Sequence, residues 1–203
     1  MIVKTKTNEK DSSKIKLDLY FLRKFIEFSK EHNFRLIVSG GYGLDGILNT
    51  ITRPHNDIDI ILYGQFSRKK IIQLIKEFVS NLYSDTQFSG EPNPFTECID
   101  INAKGFGCNL YYVETINDPY IDLYTIKLID GKTQTNSEEQ FPSSVKAKLQ
   151  GIEYEAQNPN LHLADILFKR KQNNKQTKHK QDIINLREIT DKSKVKSLLK
   201  FYK

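Results

Sequence analysis

Between Ser13 and His32 apolar residues fall at Ile15, Leu17, Leu19, Phe21, Leu22, Phe25, Ile26 and Phe28, and the three-to-four spacing of the second half predicts an amphipathic helix. Phe34 to Val38 is a short run of strand formers that stops at Ser39-Gly40-Gly41, so a strand ends where the glycines begin. Tyr42 to Leu48 reads as a short helix opening at those glycines. Asp57 to Leu62 alternates carboxylate and apolar residues, the pattern of a second strand. Ser67 to Leu82 returns to helical spacing, with Ser67 as N-cap. After the breaker Glu91-Pro92-Asn93-Pro94, three β-like runs (95–102, 108–114 and 120–129) predict a meander that continues the sheet. From Phe141 onward the chain reads as mainly helical, most clearly over 161–172 and 180–187.

The alternation in the second strand carries chemistry. Successive strand side chains point to opposite faces, so Asp57 and Asp59 share one face while Ile58, Ile60 and Leu62 share the other. Two carboxylates on one rigid face, next to a glycine pair whose amides open a helix, suit a metal-bound nucleoside triphosphate. A two-metal site usually takes a third carboxylate from a neighbouring strand. By pattern alone Asp100 and Asp122 are nearly equal candidates, since each lies among apolar neighbours on a predicted strand. Ser39, Gly40 and Gly41 are candidates for phosphate contact. Arg53 is a candidate bidentate clamp on phosphate oxygens, and His55 a nucleotide contact or a brace for the loop. Asp45 orients the glycine loop or lies exposed on its short helix. Asp182 on the C-terminal helix either faces the cleft or, between Lys180 and Arg187, reads first as a surface charge partner.

Charge sharpens this picture. The net +6 divides into +4 for residues 1–30, −5 for 31–130 and +7 for 131–203, so the acidic stretch is the one that bears the motif. The lysines of 169–180 lack interleaved aromatics and read as a solvated inter-helix loop before they read as a nucleic-acid track. Cys98 and Cys108 are too few for a disulfide framework and have no clustered zinc partners, which suits a reduced, cytoplasmic protein. Neither a signal peptide nor a membrane-spanning run is expected.

Gly40-Gly41-Tyr42-Gly43-Leu44-Asp45 followed by Thr52-Arg53-Pro54-His55-Asn56-Asp57-Ile58-Asp59 resembles the small antibiotic nucleotidyltransferases of the DNA polymerase β superfamily, within them the aminoglycoside 2''- and lincosamide nucleotidyltransferase group. Weaker likeness continues through Tyr120-Ile121-Asp122-Leu123-Tyr124, Asp130-Gly131, Phe141-Pro142, Gly151 and Asp182-Ile183. Tyr42 and Tyr124 depart from that group's tryptophan and histidine. The resemblance implies an α+β fold with a mixed or antiparallel sheet, helices on one side, a catalytic domain over 1–135 and a helical, acceptor-side region over 136–203. It implies magnesium-dependent transfer of a nucleoside monophosphate, AMP first, from ATP or another NTP to a hydroxyl of a small molecule such as an aminoglycoside or lincosamide, with pyrophosphate leaving. Asp57, Asp59 and, by the resemblance, Asp122 would hold the metal. The enzyme would work as a monomer or homodimer. The alternatives are a toxin-like transferase acting on RNA or protein, and an inactive nucleotide-binding module.

Overall fold

The computed structural model describes residues 2–4, 9–82, 98–103, 106–114, 144–171 and 178–201. The apolar stripe of the first segment folds as α1 (Glu9–Glu31), and the run before the glycines as β1 (Arg35–Ser39). Next come α2 (Gly40–Ile47), β2 (Ile58–Gly64) and α3 (Arg68–Leu82), then the hairpin strands β3 (Cys98–Ala103) and β4 (Phe106–Glu114). A second hairpin, β5 (Ser144–Leu149) and β6 (Ile152–Gln157), precedes α4 (Pro159–Lys171), α5 (Lys178–Ile189) and α6 (Lys192–Phe201).

The six strands form one mixed sheet in the order β3-β4-β2-β1-β6-β5. β1 runs antiparallel to β2 and parallel to β6, while β2 runs parallel to β4. The α+β class is as the sequence implies. The hairpin at 144–157 is not, because a helix was expected from Phe141. Ser144-Val145-Lys146-Ala147-Lys148-Leu149 and Ile152-Glu153-Tyr154-Glu155-Ala156 alternate with period two, and Gln150 (φ 46) and Gly151 (φ 81) both take the left-handed conformation of a tight hairpin turn. The sheet therefore runs across the boundary expected at residue 135, and the helical part begins at Pro159. The predicted strand at 120–129 lies outside the described residues.

Alternation sorts the two faces. Leu36 and Val38 of β1, Ile58, Ile60 and Leu62 of β2, and Cys108 and Leu110 of β4 join the main core with α1 and α3. Partly buried Phe78 of α3 packs on the buried Phe25 and Phe28 of α1, with ring centroids 5.4 and 4.6 Å away. Each such buried side chain contributes about 1.5–3 kcal/mol. Ile37, Ile61 and Tyr63 form a separate cluster on the opposite face. Leu44 of α2 instead packs among Leu161, Leu163, Ile166, Ile183, Leu186 and Leu198 of α4 to α6, so α2 ties the helical part to the sheet.

One charged group interrupts the main core. Asp18 of α1 is wholly buried, and its Oδ2 accepts hydrogen bonds from Lys14 Nζ and the Tyr42 hydroxyl, each at 2.7 Å. Burial pushes its carboxyl above the ordinary 3.8, and the bonds from Lys14 and Tyr42 offset only part of that. A raised folded-state pKa means that the stabilising contribution is full below the ordinary value and is lost as pH rises through the folded one. The stability of the Asp18→Asn variant, measured relative to the parent by denaturant titration, should therefore improve as pH rises from about 4. A relative stability that worsens over that range contradicts the assignment.

Candidate active site

β2 delivers the carboxylates where the alternation requires. With Ile58 and Ile60 committed to the core, Asp59 emerges on the other face, and Asp57 sits half-buried just before the strand. Both converge on one residue that sequence reasoning missed: Asn109 of β4 donates from Nδ2 to Asp57 Oδ2 at 3.1 Å and to Asp59 Oδ1 at 3.0 Å. The two aspartates thus act as one cluster. Asn109 escaped notice because its place beside Asp59 follows from strand register, and nothing in Cys108-Asn109-Leu110 announces a partner.

The glycine pair has a steric explanation. A Cβ on Gly40 would lie 2.0 Å from Asp59 Oδ2, and its φ of +61 already favours glycine. A Cβ on Gly41 would lie 2.0 Å from His55 Nδ1. The corner between β1 and α2 is therefore shaped to the Asp59 carboxylate on one side and the His55 ring on the other. Ser39 takes the N-cap position of α2, but its hydroxyl makes no capping bond and reaches only the Asp59 carbonyl at 3.5 Å, a weak contact.

Beneath the corner lies a buried polar brace. Asp45 is wholly buried; its Oδ1 accepts from Thr52 N at 3.0 Å and Thr52 Oγ1 at 2.6 Å, and its Oδ2 accepts from His55 Nε2 at 2.7 Å. The reading of Asp45 as a loop-orienting residue holds, and the exposed reading fails. The Tyr42 ring packs on His55 with centroids 4.5 Å apart, and the Tyr42 carbonyl accepts from the Tyr154 hydroxyl at 2.7 Å. Burial, reinforced by the charge of Asp18, drives the Tyr42 hydroxyl far above its usual pKa, so it stays a donor.

Arg53 is engaged by protein. Its Nε and Nη2 donate to Asp182 Oδ1 and Oδ2 at 3.0 and 2.9 Å, and its Nη1 donates to the Pro54 carbonyl at 3.0 Å. Asp182 is buried, which corrects its reading as a surface charge partner: α5 aims it at the loop before β2. The pair fastens the motif loop to the helical part through the planar fork that arginine offers a carboxylate.

Of the third-carboxylate candidates, Asp122 lies outside the described residues. Asp100 of β3 pairs in register with Asn109, which itself pairs with Asp59, so the three positions form one row across the sheet. Among the described residues no three His, Cys, Asp or Glu side chains gather as a metal site. Two carboxylates within reach of a single nitrogen still fit a hard divalent cation, because magnesium is commonly held by one or two carboxylates together with substrate phosphates.

Residues 21–101 match the family model described as aminoglycoside-2''-adenylyltransferase. Over this stretch the chain is similar to the antibiotic adenylyltransferases that the model describes. That match takes in the glycine corner, Asp57, Asp59 and Asp100, and stops short of Asp122. Comparison with curated proteins finds no sequence match. Among solved structures, the antibiotic-resistance factor ANT(2'')-Ia in solution is similar with a TM-score of 0.62 and 16% identity, over 94% of this chain and 91% of that one. The crystal structure of ANT(2'')-Ia with adenylyl-2''-tobramycin gives 0.61 and 16%, over 90% and 95%. The lincosamide antibiotic adenylyltransferase LnuA with lincomycin bound gives 0.56 and 13%, over 92% and 100%. At these identities the likeness shows a shared fold.

If the His55 ring is what shapes the corner, Gly41→Ala should cost about 1–3 kcal/mol through overpacking. In a His55→Ala background the same change should cost at least about 1 kcal/mol less, since contacting residues couple. A double-mutant cycle by urea denaturation checks this, and additive effects would contradict it.

Proposed function

We propose that the protein is a magnesium-dependent nucleotidyltransferase that moves a nucleoside monophosphate, AMP first, from a triphosphate to a hydroxyl of an aminoglycoside- or lincosamide-like antibiotic. The observation that carries the reading is the convergence of Asp57 and Asp59 beside a glycine corner that closes on the Asp59 carboxylate. Support for the acceptor class comes from the family match over 21–101 and from the relative that holds an adenylylated tobramycin.

Asp57 and Asp59 are the proposed cation ligands. The bound ion would supply charge neutralisation at the phosphates and activation of the attacking hydroxyl. Ser39, Gly40 and Gly41 present the start of α2 to the triphosphate, where backbone N–H groups and the helix dipole favour anions. His55 and Arg53 serve from behind: the first shapes the corner and the second locks the motif loop to α5. The acceptor oxygen bonds to the α-phosphorus as the bridging bond to pyrophosphate breaks. The hydroxyl proton passes to a carboxylate, a part that the sequence resemblance gives to Asp122. Catalysis in such a site rests on positioning and charge stabilisation.

Pyrophosphate release from ATP and magnesium in the presence of tobramycin or lincomycin tests this. Asp57→Asn and Asp59→Asn should each lower turnover about 100-fold or more. Undiminished turnover in both would contradict the mechanism. Of Asp100→Asn and Asp122→Asn, the second should show the larger loss, about 100-fold or more if it takes the proton.

A further inference from the structure

The positions level with Asp59 on its two neighbouring strands are Ser39 on β1 and Asn109 on β4. Neither is a carboxylate. A two-carboxylate site flanked by an amide differs from a three-carboxylate site in charge, and that difference governs when a cation binds. On this basis, and resting on the reading of Asp57 and Asp59 as cation ligands, we propose that Asn109 is the third member of the site and makes cation binding depend on the nucleotide.

The geometry defines what Asn109 does. Ionised carboxylates only accept, so the amide turns its NH2 group toward them and spends one N–H on each. These bonds offset the mutual repulsion of Asp57 and Asp59 and hold them at a fixed separation. The amide brings no charge of its own. A free divalent ion thus meets the Asp57 and Asp59 pair, of charge −2, in which both carboxylates already have a donor, and it gains little by displacing it. An ion that arrives on a triphosphate brings its own oxygen ligands, and the strongly anionic complex is repelled less by two carboxylates than by three. The same amide also carries Oδ1, a carbonyl oxygen of the kind that would suit a hard cation held by the two aspartates. Asn109 is in this sense a positioning residue: it holds the two aspartates ready and withholds the third charge.

Manganese binding to the full chain, followed by electron paramagnetic resonance or calorimetry without nucleotide, reads this directly. The parent should bind weakly, and Asn109→Asp should bind at least tenfold more tightly. Asn109→Ala, which lacks both charge and donor, should not tighten. With a non-hydrolysable ATP analogue present, the advantage of Asn109→Asp should shrink. Melting temperature with and without manganese supplies a second readout if Asn109→Asp weakens the metal-free fold, since its metal-induced rise should exceed the parent's. An Asn109→Asp affinity within twofold of the parent, while Asp57→Asn reduces binding, overturns the role of Asn109 and leaves the proposed function standing. Manganese binding that Asp57→Asn and Asp59→Asn leave unchanged, with and without the nucleotide analogue, removes both.

Discussion

The Asp59 carboxylate occupies the space in which a side chain at residue 40 would begin, and much of the structure follows from accommodating it there. The residue that follows β1 must lack a Cβ, and Gly40 also supplies the left-handed turn that starts α2. β2 must run antiparallel to β1 with Ser39 opposite Asp59, which sets the register that sends Ile58 and Ile60 into the core. A slip of one residue would bury the carboxylate and expose the isoleucines. Packing of α1 and α3 against one face thereby places the acidic pair on the other.

The corner is held from below as well as from the side. Asp45, Thr52 and His55 form a closed set of buried hydrogen bonds that joins α2 to the loop before β2. Arg53 carries that loop across to α5 through Asp182, and Leu44 places α2 in the core of the helical part. Catalytic geometry of this kind depends on supports that cannot relax independently. Motif residues which the sequence suggests as ligand contacts, Arg53 and His55, are here invested in protein contacts. Arg53 finds its partners in Asp182 and Pro54, whereas His55 bonds Asp45 through Nε2 and its buried Nδ1, against Gly41, has no hydrogen-bond partner among the described residues.

Local pattern made the first half of the chain legible. The helical stripe of α1, the strand-to-glycine stop of β1 and the alternation of β2 all lie within a few residues of where periodicity places them. Asn109 and the buried role of Asp182 were not legible, because each depends on a partner more than fifty positions away. The 144–157 hairpin was legible in principle: its period-two alternation and Gln150-Gly151 turn are local, but its lysines and glutamates masked a strand with one solvated face. Asp100 and Asp122 looked alike in sequence because each sits in a similar apolar setting. Only pairing gives Asp100 a place in the row of Asp59.

The central claim is that the paired aspartates beside the glycine corner serve transfer of a nucleotide to an antibiotic hydroxyl. Its most direct measurement is the mass of tobramycin and of lincomycin after incubation with the protein, ATP and magnesium. The account predicts one nucleotide-sized increment on at least one of them, lost when the metal is chelated. Unchanged masses for both, under conditions in which the protein binds magnesium and ATP, would contradict it.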